Sequence, residues 1–238
     1  IGSEELPAED LDSALRQLRV AVPQMLDNVR LGHGTVHVYG TPRRLAVLVD
    51  DLVPQQPDLE TTAKGPPAER AFDVDGNPTK AAEGFARGKG VGLHQLHIVE
   101  EGNKRYVAAT VREQGRSAVE VLAEALPGLI AALRFEKSMR WNQTNVTYSR
   151  PLRWMVALYG PVVVPFQYAG VTSGRISRGL RPLSSPPIAI DSAASYEKMM
   201  ASNGIVIDQE KRRQIIRANT TRLAAAQDGT LADDPALV

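Results

Sequence analysis

Tryptophan follows arginine twice in this 238-residue chain, at Arg140-Trp141 and Arg153-Trp154, and these are its only tryptophans. A guanidinium grips phosphate through parallel N–H donors, and an indole offers a flat face to a base or to another guanidinium. Lys137 and Arg150 stand close by, Arg175, Arg178 and Arg181 follow, and no acid lies between Glu136 and Asp191. Those 54 residues carry seven cations, while the rest of the chain sets 21 cations against 27 acids. The overall charge of +1 therefore hides a segregated distribution. Such a segment suits a polyanion surface, and it equally suits strands whose arginines find acids brought from elsewhere in the fold. Trp154 lies in the apolar run "RWMVALYG" and is expected in the core, whereas Trp141 has polar neighbours and is open between stacking and burial. Arg43 and Arg44 enter a strand in "TPRRLAV". Strand alternation sends them to opposite faces, either as an anion contact at a strand edge or as one exposed and one paired arginine.

Other chemistries find little support. The absence of cysteine excludes disulfides, thiolate metal sites and a thiol nucleophile. His33 and His37, and His94 and His97, have metal-ligand spacings only if they lie on helices. They fall instead in a Gly-rich turn and in strands, with no acid at a matching position. "GKGVG" at residues 88–92 lacks the spacing of a phosphate loop, because Gly84 precedes Gly88-Lys89 too closely and Gly90 replaces Ser or Thr. It reads as a helix unwinding through glycines. Asp73 and Asp75 start a calcium-loop-like run, but Gly84 stands where a bidentate Glu is required. Glu4-Glu5, Asp50-Asp51 and Asp233-Asp234 read as caps and solvated turns, and no G-x-S-x-G exists. No catalytic constellation is expected. No run of 18 apolar residues exists and no secretory signal is visible, so a cytoplasmic protein without a membrane partner is expected. The ends, "IGSEEL" without methionine and "DGTLADDPALV", read as those of an excised piece.

These residues need elements to hold them. Leu11, Leu15, Leu18, Val22, Met25 and Val29 form one apolar stripe of a first helix, which Pro23 is expected to kink or split. Residues 35–50 read as two strands, with Leu45 to Val49 apolar on both faces and so central. Residues 54–78 read as loop, Thr79 as the cap of a short helix, and "QLHIVEEGNKRYVAATVRE" as a hairpin turning near Gly102-Asn103. Ser117 opens another helix, interrupted at Pro127. Strands then follow at "RWMVALYG", "VVVPFQY", "IAI" and "IVI". Asp191 is expected to cap a helix reaching about Asn203, and Asp208 to cap a last helix closed by Gly229. Hairpins outnumber crossovers, which predicts an α+β fold of mostly antiparallel sheets with packed helices, in two α/β subdomains. Their expected extents are residues 1–135 and 136–238.

Six ordered blocks carry a resemblance: "IGSEELPAE", "GTPRRLAVLV", "KGPPAERAFDVDGNPTKAAEGFARGKGV", "LRFEKSMRW", "SRPLRWMVALYG" and "GIVIDQEKRRQI". Together they resemble the beta subunit of bacterial-type tetrameric glycyl-tRNA synthetase, in its N-terminal portion. Leu180 and Pro182 stand where that family usually has His and Phe, and Ser3 where it has Thr. The resemblance implies a hetero-oligomeric glycine–tRNA ligase that uses ATP and Mg²⁺ through its alpha subunit, or a fused alpha portion. It implies no cofactor in this fragment and no metal site, but tRNA(Gly) and the alpha subunit as partners. The phosphate contacts expected under it are Arg43, Arg44, Lys64, Lys137, Arg140, Arg150 and Arg153. The alternative is a docking module for the catalytic alpha subunit with little direct RNA contact.

Overall fold

A computed structural model describes residues 1–73, 75–102 and 104–230. Asn103 of the expected hairpin turn, and the Asp233-Asp234 pair, lie outside the described residues. In chain order, strand β1 (Gly2–Ser3) leads to helix α1 (Ala8–Asn28), strands β2 (Val36–Thr41), β3 (Arg44–Val49) and β4 (Leu59–Pro67), and helices α2 (Ala68–Ala71) and α3 (Lys80–Lys89). Strands β5 (Leu96–Glu101) and β6 (Lys104–Glu113) precede helix α4 (Ala118–Ala132). Seven short strands follow: β7 (Leu152–Val156), β8 (Leu158–Tyr159), β9 (Val162–Val163), β10 (Gln167–Tyr168), β11 (Val171–Gly174), β12 (Ile176–Arg178) and β13 (Pro187–Ala189). Helices α5 (Tyr196–Ser202) and α6 (Gln209–Ala225) complete the described elements. The fold is α+β, with every strand pair antiparallel except β7 with β11.

The chain divides into two compact units, Ile1–Gln56 with Ser117–Val238, and Pro57–Arg116. The boundary read from sequence at 135/136 falls inside the first unit. Helix α4, which ends just before it, packs with α1 in one core.

In the first unit six strands form one sheet in the order β10-β11-β7-β1-β3-β2. Leu11, Leu15, Leu18, Val22 and Leu26 of α1 meet Val38, Leu45 and the α4 residues Val121, Leu122 and Ile130. A second cluster of Ile188, Ile190, Met200, Ile205 and Ile207 takes in Tyr39, Leu48, Val156 and Leu158. Strand β3 thus meets apolar neighbours on both faces, as its sequence predicts. Pro23 does not split α1, and α4 runs on through Pro127. A proline inside a helix costs about 3 kcal/mol, less than the several buried side chains return at roughly 1.5–3 kcal/mol each. Ser117 caps α4 reciprocally with Glu120, and the Asp208 carboxylate caps α6 by accepting from the N–H groups of Glu210 and Lys211. Asp191 does not cap its helix; a 3-10 turn at Ala193–Ser195, opened by Ser192, precedes α5. Ile205 and Ile207 are buried but belong to no strand.

The second unit is a three-stranded sheet, β4-β6-β5, with a small core of Ala71, Ala82 and Val107 packed by Phe72, Phe85 and Leu96. Strand β4 lies in the stretch read as loop. It is an edge strand with mostly exposed Glu, Thr and Lys, so it lacks the apolar alternation that marks a strand. Thr79 caps α3, its Oγ1 accepting from the Ala81 N–H at 3.2 Å. The Asp73 carboxylate accepts from the N–H groups of Asp75 and Asn77, which holds its pKa below the usual range. Among the described residues no helix is long and apolar enough to cross a membrane.

Candidate nucleic-acid interface

Around Trp154 the fold fixes arginines in place. Gly2 of β1 lies opposite Trp154, and a Cβ on Gly2 would stand 1.9 Å from the indole. Only glycine lets the ring lie across the strand, and Trp154 is 8% exposed, in the core as expected. Arg43 and Arg44 sit over that ring, at 5.5 and 5.4 Å from its centroid. Arg44 is 4% exposed and donates to the Arg178 carbonyl. Burial lowers its pKa, partly offset by Tyr196. Arg43 donates to Ser185 Oγ at 2.9 Å and lies 3.9 Å from Glu5. Arg153 donates to Glu4 Oε1 at 2.7 Å, and Arg181 pairs with Glu5 and stands 3.9 Å from Glu4. Arg181 holds the Glu5 carboxyl below its usual pKa. Two acids of "SEELP" therefore answer three arginines, two of them from the acid-free stretch. Arg175 caps the carbonyls of Ile190, Asp191 and Pro161.

The segment from Arg134 to Arg150 is built differently. Gln17 of α1 clamps its start, giving a hydrogen bond to the Arg134 carbonyl at 2.7 Å and accepting one from the Arg134 N–H at 2.8 Å. Met139 and Tyr148 exchange backbone hydrogen bonds of 2.8 and 3.2 Å. The Tyr148 ring is buried edge-on against Phe135, with centroids 4.7 Å apart. Asn142 reaches the Ala169 carbonyl at 2.8 Å, and Trp141 packs half-buried against the main core. On this pinned loop Lys137 is exposed and makes no ion pair among the described residues. Among the described residues Arg140 bonds only the Asn145 carbonyl, at 3.3 Å, and Arg150 only the Ser149 carbonyl, at 2.8 Å, and these carbonyl partners leave both guanidinium charges unneutralised. Arg134 behaves alike, donating to the Ala131 carbonyl at 3.2 Å. Sequence reasoning missed it because Glu136 separates it from the acid-free run.

The seven sequence candidates thus part into groups. Lys137, Arg140 and Arg150 share one loop, while Arg43, Arg44 and Arg153 gather at Trp154 and its flanking strands. Lys64 belongs to the other unit, where it pairs with Glu101 and lies 3.7 Å from the Tyr106 ring centroid. Leu180 and Pro182 lie at a surface 3-10 turn. His37 bonds Asp50 at 2.9 Å and His33 the Gly34 carbonyl at 2.8 Å. No group of three potential metal ligands occurs among the described residues.

Comparison with known proteins adds the family context. The profile of the family described as glycyl-tRNA synthetase beta subunit matches residues 1–238. The chain is 49% identical to the chloroplastic/mitochondrial glycine–tRNA ligase 2 of Arabidopsis thaliana, over 97% of this chain and 22% of that protein. It is 42% identical to the glycine–tRNA ligase beta subunits of Geobacter metallireducens and Moorella thermoacetica, over 100% of this chain and 35% and 34% of theirs. The chain spans about a third or less of the length of these curated relatives.

Proposed function

The chain belongs to the glycyl-tRNA synthetase beta subunit family, and from that premise we propose that it supplies tRNA contacts to the ATP-dependent ligation of glycine to tRNA(Gly). In this reading the chemistry, with ATP and Mg²⁺, belongs to the alpha subunit or a fused alpha portion, and the holoenzyme is a cytoplasmic hetero-oligomer. The observation that carries the reading is the loop of Lys137, Arg140 and Arg150, held by Gln17, Tyr148 and Asn142, whose cations meet no carboxylate among the described residues. Pinned cations of this kind bind a phosphate backbone by releasing its counterions, at little ordering cost in the protein. Arg43, Arg44 and Arg153 act on this account as scaffold, and Lys64 contributes at most a separate contact. Titration of tRNA(Gly) into the chain tests this: affinity is expected to fall steeply with salt, and a flat response between low and moderate salt refutes it.

A second reading, docking to the alpha subunit, has its own support. Helix α6 has no buried residue and exposes Ile215, Ile216 and Leu223. Ile216→Asp with Leu223→Asp that abolishes assembly while sparing tRNA binding would favour this role for α6. Loss of assembly on charge reversal of Arg140 and Arg153 would assign those cations to docking as well.

A further inference from the structure

The sheet of the second unit carries its helices on one side. Ala71 of α2, with Ala82 and Phe85 of α3, meets Val107 and Leu96. Ala63 and Leu96 both pair with Ala109, so alternation puts them on this covered face with Val107. The other face follows from the same register. Lys64 and His97 both pair with Ala108, Thr62 pairs with Thr110, and Tyr106 stands two residues from Ala108 on the central strand β6. On that face Thr62, Lys64, His97 and Thr110 are exposed and Tyr106 is half-buried. It is an open sheet face.

Its chemistry narrows what it can hold. A protein-docking patch needs an apolar centre. Here the central strand offers Tyr106, Ala108 and Thr110, and among the described residues of the three strands Val99 is the one larger aliphatic side chain on this face. What the face does offer is rings and hydroxyls. Tyr106 pairs with Val99, which makes His97 its diagonal neighbour, about 7–8 Å away. Two rings so placed on an open sheet give two successive splayed bases a π-face each. Thr62 and Thr110, side by side, add hydroxyls that donate or accept. The Lys64 ammonium lies over the Tyr106 ring, 3.7 Å from its centroid, and pairs with Glu101. The Lys64 side chain is 44% exposed and that of Glu101 71%, so the pair holds the ammonium weakly and a base can displace it from the ring.

We propose that this open face binds an unpaired stretch of RNA, with one base stacked on Tyr106 in place of the Lys64 ammonium and the next on His97. It rests on the reading that the chain contacts tRNA, and adds a second site, in the other unit, that holds bases by stacking where the loop holds phosphates by charge.

The test titrates the chain with an unpaired adenosine hexanucleotide and with an RNA duplex of the same length, reading the amide NMR shifts of Thr62, His97, Tyr106 and Thr110 and the affinity. The hexanucleotide is expected to move these amides and the duplex to leave them in place. Tyr106→Leu should weaken hexanucleotide binding about tenfold or more, Tyr106→Phe should keep it within about twofold, and His97→Ala, at an exposed side chain, should weaken it several-fold. The loss in Tyr106→Leu should be the same at low and moderate salt, since stacking releases no counterions. Lys137→Gln with Arg140→Gln and Arg150→Gln should leave these shifts unchanged, so failure of the loop reading and failure of this one are told apart. Equal shifts with the duplex overturn the proposal, and so does parent-like affinity in Tyr106→Leu or in His97→Ala.

Discussion

The arginines flanking Trp154 and the cations of the 134–150 loop come largely from one acid-free stretch, yet the fold treats them in opposite ways. Arg153 and Arg181 are met by Glu4 and Glu5 from the far end of the chain, while Arg43 and Arg44 are laid over the indole. Among the described residues Lys137, Arg140 and Arg150 receive no carboxylate, although their loop is held at Gln17, Tyr148 and Asn142. A basic segment in sequence is therefore not one surface. What separates structural from available charge is whether the fold brings an acid to it.

The comparison can be broken most forcefully at Gly2. Gly2→Val places a side chain into the Trp154 ring and is expected to cost about 3 kcal/mol or more of stability, read from the urea midpoint. An unchanged midpoint would mean that the Trp154 region is not the rigid scaffold described. Next in size, Lys137→Glu with Arg140→Glu and Arg150→Glu is expected to weaken tRNA binding on the order of a hundredfold at low salt, with the urea midpoint in place. If the midpoint falls as far as for Gly2→Val, the loop is structural and the contrast fails. Arg153→Ala should shift stability by under about 1 kcal/mol, since its pair with Glu4 is half-exposed, and should leave the salt dependence of RNA binding in place. The smallest effect follows acidification. The folded pKa of Glu5 is depressed by Arg181, so its contribution is present above the ordinary carboxylate range and fades as pH falls through the depressed value. Because Glu5 is exposed the change is slight, and Arg181→Gln should abolish it in a pH series of urea midpoints.

Much of the fold was legible because it is written locally. The α1 stripe, the Ser117, Thr79 and Asp208 caps, and the doubly apolar β3 all follow from spacing and residue type. Strand β4 was not legible, since an exposed edge strand carries no apolar alternation. Nor was the insertion of residues 57–116, because contact between α1 and α4 defines it, not composition. The site was half legible. Trp154 announced its burial through its apolar neighbours, but the Arg153–Glu4 pair spans 149 positions, and no local pattern reveals it. Arg134 was hidden by a single acid two residues on.

If available charge lies on the loop and not around Trp154, the salt dependence of tRNA(Gly) affinity must follow the loop cations. The slope of log K against log salt is measured for the chain, for Lys137→Gln with Arg140→Gln and Arg150→Gln, and for Arg153→Gln. The loop variant is predicted to flatten the slope by about 2, with the Arg153 variant matching the parent chain. A slope that flattens for Arg153→Gln and not for the loop variant would place the available charge around Trp154 instead.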